Sequence, residues 1–323
     1  MRCLAVCVLA GCAFHTHEAP RDGSTDAPDA RPIDSRLDAA PDAPGESCLA
    51  RWLDHTINFD AGTALTGVNT SAYERDPYLS PDELTLYFSS SRADSEPSGG
   101  DDIYFATRST TADPFGTVAK YAVASTSTGS ETKVSITGDG SYLVVGSSQD
   151  GGAGGVDVWE ATNGATTFGA LSRTHVMMVE TTGNEQDPQV SSDGLHLYLA
   201  PDTSGTQELV MASRTSTTAN FGTPVLITEL NDAIAGTADP TVNADETVIV
   251  FSSGRTGTTG AGDLWYATRA SKTALWSLPT LVPGVNTTSN EGDPHLGSDG
   301  CHLYFASDRD AGQDWDLFVA TAR

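Results

Sequence analysis

Five positions carry the charged residues most able to do chemistry in this chain: Asp76, Lys133, Asp187, Asp239 and Asp293, spaced 57, 54, 52 and 54 residues apart. Each opens a short apolar run. Glu74, Glu131, Glu185 and Glu291 stand two residues earlier in four of them. Gathered carboxylates are hard oxygen donors, suited to a divalent cation such as calcium or to a cationic ligand. Two carboxylates in unlike surroundings would also serve as acid and base on a sugar. Lys133 breaks the acidic pattern, either balancing its neighbours or orienting an anionic group, and charge balance is the plainer role. His295 is the one histidine on such a run and joins the candidate group. The repetition itself favours a structural role: an acid present in most copies serves the copy, by capping a turn or accepting backbone N–H groups. Near-identical copies do not supply the unlike environments that separate an acid from a base. The chain has no G-x-S-x-G elbow, phosphate loop, H-E-x-x-H or histidine pair at metal-ligand spacing. Nothing marks it clearly as an enzyme, and no cofactor beyond a divalent cation is suggested.

The elements that must position these residues form a repeat. RDPYLSPDELTLYFSSS, TKVSITGDGSYLVVGSS, QDPQVSSDGLHLYLAPD, ADPTVNADETVIVFSSG and GDPHLGSDGCHLYFASD align without a gap. Each reads as a short strand, a tight turn and a second strand. Asp139-Gly140, Asp193-Gly194 and Asp299-Gly300 suit the positive φ of such a turn, while Asp82-Glu83 and Asp245-Glu246 replace them in two copies. A third strand opens on an acid: Asp102, Asp157, Glu208, Asp263 or Asp316. A last strand follows Phe115, Phe168, Phe221 or Trp276. Asp102 with Arg92, Asp263 with Arg255 and Asp316 with Arg309 are expected to pair across the second hairpin. His196 and His302 fall on equivalent second-strand positions, read as sheet surface. The period fits one four-stranded propeller blade with long loops.

The fifth copy stops after its third strand, and its missing fourth is found near the other end. Residues 59–74 align without a gap to 276–291, with Gly67-Val68-Asn69 matching Gly284-Val285-Asn286. The fold expected is all-β: a five-bladed propeller over residues 48–323, closed by an N-terminal strand that completes the last blade and removes the open edge. Its inner strands would place Asp76, Lys133, Asp187, Asp239 and Asp293 around one channel mouth. Cys48 and Cys301 then share a blade, so they form a bridge or remain two separate buried thiols.

Residues 1–12, MRCLAVCVLAGC, begin with a basic residue and an apolar stretch. Leu9-Ala10-Gly11-Cys12 resembles the bacterial lipobox, which implies cleavage before Cys12 and lipidation of that residue. Residues 13–47, rich in Asp, Ala and Pro, read as a disordered tether. The net charge of −26 argues against nucleic acid as a partner. No apolar run is long enough for a membrane span, which leaves membrane attachment to the lipid alone.

Glu74, Pro77, Leu79, Ser80-Pro81-Asp82, Tyr87-Phe88, Ser90, Arg92 and Asp102-Ile103-Tyr104 resemble the TolB-type propeller repeat, the WD-like Pro-Asp repeat. Copies four and five match through Arg255 and Arg309. Copies two and three depart, with Lys133-Val134 in place of Asp-Pro in copy two. The resemblance covers residues 64–323. It implies a lipoprotein of the bacterial envelope, at the outer membrane and facing the periplasm or the cell surface. Such a protein is a monomeric, non-enzymatic module binding an envelope protein or a cell-wall or extracellular glycan. The other reading is a five-bladed glycan-processing enzyme that uses the channel carboxylates.

Overall fold

The computed structural model describes residues 46–323 apart from 94–99, 127–128, 150, 163–173, 177–178, 203–204, 233 and 311–313. Cys12, the segment 1–12, nearly all of the proposed tether and Phe168 lie outside the described residues. Five four-stranded antiparallel sheets make up the rest. Blade one comprises Glu74–Leu79, Thr85–Ser90, Asp102–Thr107 and Ala119–Lys120; blade two comprises Glu131–Ile136, Tyr142–Ser147, Asp157–Thr162 and Thr174–His175. Blade three is Asn184–Val190, His196–Asp202, Val210–Ser213 and Val225–Leu226; blade four is Thr237–Val242, Val248–Ser253, Asp263–Thr268 and Thr280–Leu281. Blade five takes Glu291–Leu296, His302–Ser307 and Asp316–Thr321, and is completed by Thr63–Ala64 from the other end of the chain. There Thr63 faces Val319 and Ala64 faces Phe318.

The seams show that the ring is closed. Five buried apolar clusters lie one between each pair of neighbouring blades, including one between five and one built on Val68, Leu79, Phe88, Tyr304 and Leu317. An open row of five sheets would have four seams. Because each sheet is covered on both faces, the second strands are near-continuous apolar runs, as in Val248–Phe251.

The Gly-Val-Asn signature has a local cause. Asn69 donates from Nδ2 to the Leu317 carbonyl (2.9 Å) and accepts from the Leu317 N–H (3.0 Å). Asn286 does the same with Leu264, and Asn231 with Leu209. The amide side chain thus continues the ladder beyond a fourth strand only two residues long.

The arginines differ from expectation. Arg92 pairs with Glu74 (3.1 Å) and Arg309 with Glu291 (2.9 Å), not with Asp102 and Asp316. Arg255, which has Thr237 where the others have Glu, donates to Thr237 Oγ1 and the Leu230 carbonyl rather than to Asp263. Each guanidinium lies over two aromatic rings of its own blade, such as Phe88 and Tyr104 under Arg92. Stacking aims it inward at the first strand. The third-strand acids have other partners: Asp157 holds the preceding loop by accepting from the Ala153 and Gly154 N–H groups, and Asp102 pairs with Lys120 of the fourth strand (2.8 Å). In blade three the third strand begins at Val210, two residues after Glu208.

A short helix, Cys48–Leu53, was not expected from the sequence. Ser47 caps it, accepting from the Ala50 N–H (3.2 Å). Its Trp52 is wholly buried in the seam between blades four and five, 4.9 Å from the Tyr266 ring, and donates to the Gly300 carbonyl (2.9 Å). Cys48 and Cys301 form a disulfide, joining the helix to the turn before the second strand of blade five.

Candidate ligand site at the channel mouth

Every first strand carries a register break next to its ring position, for example between Arg75 and Tyr78. Asp76, Asp187, Asp239 and Asp293 sit at these bulges with φ of 53°, 58°, 55° and 50°. Aspartate tolerates this left-handed conformation better than most residues. The proline that follows each lacks the N–H that a bulge leaves unpaired. Asp-Pro is therefore a bulge signature, and its recurrence has a backbone cause. Lys133-Val134 has neither the proline nor a positive φ.

The bulges deliver the carboxylates to one mouth of the channel, in a cavity of about 420 Å³. One oxygen each of Asp76, Asp187 and Asp293 lies within 4.8 Å of the others. Asp76 accepts from the Ser89 hydroxyl (2.7 Å), and Asp239 accepts from Ser252 and from the Asp293 N–H (3.2 Å). Burial pushes Asp76 up to about 6; the Ser89 hydroxyl opposes this, Asp239 adds to it, and Lys133 and Arg75 oppose it. Burial likewise raises Asp187 well above the usual carboxylate range, reinforced by Asp239 and Asp76. Asp293 is raised well above that range by burial, then by Asp76 and Asp239. Asp76, Asp187 and Asp293 thus all hold protons more readily than free carboxylates do, and an arriving cation would displace those protons.

Lys133 is fully buried and spans the channel: its Nζ donates to the Pro240 carbonyl of blade four (2.8 Å). No carboxylate among the described residues lies within ion-pair distance of it. It acts on Asp76 and Asp293 through its field. His295 does not join the acids. It lies further down the channel against Tyr78, with ring centroids 4.7 Å apart, and belongs to a separate cavity. The glutamates two positions before the ring hold the entry loops: Glu74 accepts from the Thr70 N–H and hydroxyl, and Glu291 from those of Thr287.

Sequence reasoning missed the rim. Arg75, Asp101, Gln207 and Trp315 also line the upper cavity. Arg75 lies over the Trp315 ring (5.0 Å), and burial raises Asp101. The residue before each third-strand acid is Asp101, Val156, Gln207, Gly262 or Trp315. That blade-to-blade variation was the available signal, and an alignment of what repeats passes over it. His196 was read as sheet surface, but it contacts Glu246 of the next blade (2.7 Å).

No family model matches the chain, and no curated protein does. Solved structures do resemble it. An alpha-L-arabinofuranosidase, PaAbf62A from Podospora anserina, has a TM-score of 0.57 at 13% identity, covering 83% of this chain and 97% of that one. An alpha-L-arabinofuranosidase from Lactobacillus brevis scores 0.51 at 13% identity, covering 80% and 94%. TolB from Acinetobacter baumannii scores 0.48 at 14% identity, with 78% of this chain matching 56% of that chain's length. These likenesses are of fold alone, that of a β-propeller, here with five blades. Among the described residues no helix is long and apolar enough to cross a membrane.

Proposed function

We propose that this protein is a non-enzymatic envelope lipoprotein whose propeller is a binding module, taking a basic side chain of a protein partner into the aspartate cavity. The convergence of Asp76, Asp187 and Asp293 within 4.8 Å carries the reading. Glycoside hydrolysis needs its two carboxyls about 5–5.5 Å apart for retention or about 6.5–9.5 Å for inversion, so that a sugar fits between them. Oxygens packed closer than that, with Asp76 accepting from Ser89 and the neighbouring Asp239 from Ser252 and the Asp293 N–H, suit a point charge instead. A divalent cation such as calcium is the second reading, favoured by the same oxygen spacing. The deciding experiment is crosslinking in the native cells with identification of what is captured, beside the Asp187→Asn, Asp293→Asn double variant. The reading expects a partner captured by the wild type and lost by the double variant. Added calcium that raises Tm in the wild type alone would select the second reading. Turnover of a polysaccharide with no protein captured would overturn both. The anchor is tested separately: palmitate labelling lost on Cys12→Ser supports it, and unchanged labelling removes it.

A further inference from the structure

Two of the seams are built alike, but one carries its own lysine and the other does not. Between blades three and four, the turn acid Glu246 meets His196, Tyr198 and Arg269. Between blades five and one, Glu83, His302, Tyr304 and Arg108 hold the equivalent positions. The first seam also holds Lys272, whose Nζ lies 3.0 Å from Glu246 Oε1 and 2.6 Å from Asp193 Oδ2. Counted from the third-strand acids Asp263 and Asp102, the place of Lys272 falls to Thr111 and that of Trp276 to Phe115. On the fourth strand, Ala64 stands where blade three has Leu226. Each replacement is smaller, and all three line a cavity of about 640 Å³ between blades five and one. Glu83, Arg108, His302 and Tyr304 line it too. The truncations thus open a space whose polar groups are retained.

The seam with the lysine shows what suits the one without. What is missing is apolar bulk, from Trp276 and Leu226, and an ammonium, from Lys272. A lysine side chain unites an apolar stem with a charged tip. The acids that clamp Lys272 both have counterparts: Glu83 for Glu246, and Asp299 for Asp193, 3.5 Å from the His302 ring. Glu83 Oε1 accepts from Ser298, which lines the His295 cavity further down the channel. Glu83 Oε2 faces Arg108, which lines the seam cavity and not that one. The two are 3.9 Å apart, beyond hydrogen-bond reach. Arg269 and Lys272 share Glu246, so a guanidinium beside the acid does not exclude an ammonium. Asp113 adds a further negative charge to the cavity wall. The chain's three lysines are all engaged: Lys120 with Asp102, Lys133 with Pro240 and Lys272 with Glu246. Neither this chain nor a second copy has one to spare.

We propose that the cavity between blades five and one is a docking pocket for a lysine side chain of a protein partner, separate from the aspartate cavity. The probe is Nα-acetyl-lysine methylamide, read by NMR of ¹⁵N-histidine-labelled protein with the His302 ring nitrogens assigned through His302→Gln. The lysine probe shifts the His302 resonances, and its norleucine analogue, which has the stem without the charge, does not. Glu83→Gln weakens the binding about tenfold, the cost of one charged hydrogen bond. Thr111→Lys supplies the tip from within: it abolishes the probe's shift and raises Tm by about 2–4 °C. Thr111→Met, an uncharged chain, raises Tm less, and the gain from Thr111→Lys disappears in the Glu83→Gln background. These readouts lie at the seam, so failure here and failure of the aspartate reading are told apart. His302 resonances unmoved by the lysine probe, equal binding of the norleucine analogue, or equal Tm for Thr111→Lys and Thr111→Met would each overturn the proposal.

Discussion

Asp187 at the upper mouth and Glu246 at the lower rim are both buried acids held at positive φ, 58° and 53°, yet their ionisation is driven in opposite directions. Burial opposes the charge at each site. At Glu246 that cost is outweighed by His196, Tyr198 and Lys272, and the carboxyl is held below its usual range. Arg269 adds an ion pair at 3.4 Å. At Asp187 the nearest groups are Asp239 and Asp76, so the neighbours add to the cost. The Glu246 network joins blade three to blade four, and Glu83 does similar work between blades five and one, accepting from the Ser298 N–H (2.6 Å) and hydroxyl. Both replace the turn glycine of the other three copies, exchanging backbone ease for a clasp across a seam. Among the described residues the aspartates at the other mouth have no cationic side chain within ion-pair distance.

One substitution chemistry, acid to amide, separates the two regions. Glu246→Gln is expected to destabilise by about 3 kcal/mol, since it leaves the buried Arg269 charge without its partner; urea denaturation measures it. Asp187→Asn should do the reverse, stabilising by about 1–3 kcal/mol at about pH 8 because it removes a buried, like-charged group while asparagine keeps the left-handed backbone. A loss of stability there would refute the account of the cavity. The pH dependences also oppose each other. The Glu246 contribution is present above the unfolded-chain value of 4.5 and is lost as pH falls through the lowered folded value. The contribution of Asp76 is present below 3.8 and is lost as pH rises through about 6. Tm is therefore expected to peak between those limits, and Asp76→Asn should blunt the fall on the alkaline side. Lys133→Met removes a cation that favours ionised Asp76 and Asp293, so its cost should be larger by about 1 kcal/mol at about pH 8 than at about pH 5. Glu83→Gln, which keeps an acceptor for Ser298, is the mildest, at about 1 kcal/mol or less.

The ring and its closure were legible because they repeat. The Asp-Pro bulge, the turn and the Gly-Val-Asn loop each recur with a local backbone cause, and recurrence is what an ungapped alignment detects. The ring of inner-strand charges followed from the same periodicity. What the sequence hid was direction and singularity. Arg92 lies closer in sequence to Asp102 than to its true partner Glu74, 18 residues away, and only the stacked rings of Phe88 and Tyr104 decide between them. Lys133 reaches Pro240 across the channel, 107 residues away, which no strand pattern encodes. Arg75 and Trp315 occupy positions that differ in every blade, so they vanish when the copies are averaged. The helix Cys48–Leu53 is too short for periodicity to reveal, and its place depends on a cavity for Trp52 that exists only once blades four and five have met.

The Cys48–Cys301 bridge changes how the ring would respond to being pulled. Tension entering from the segment before residue 48 crosses the sulfur atoms directly into blade five and never loads Thr63–Ala64, whose few hydrogen bonds would part first. With the far terminus held, everything between the two cysteines is short-circuited, and only the strands after Cys301 can be stripped. A pull on the two ends thus leaves four of the five blades out of the line of force.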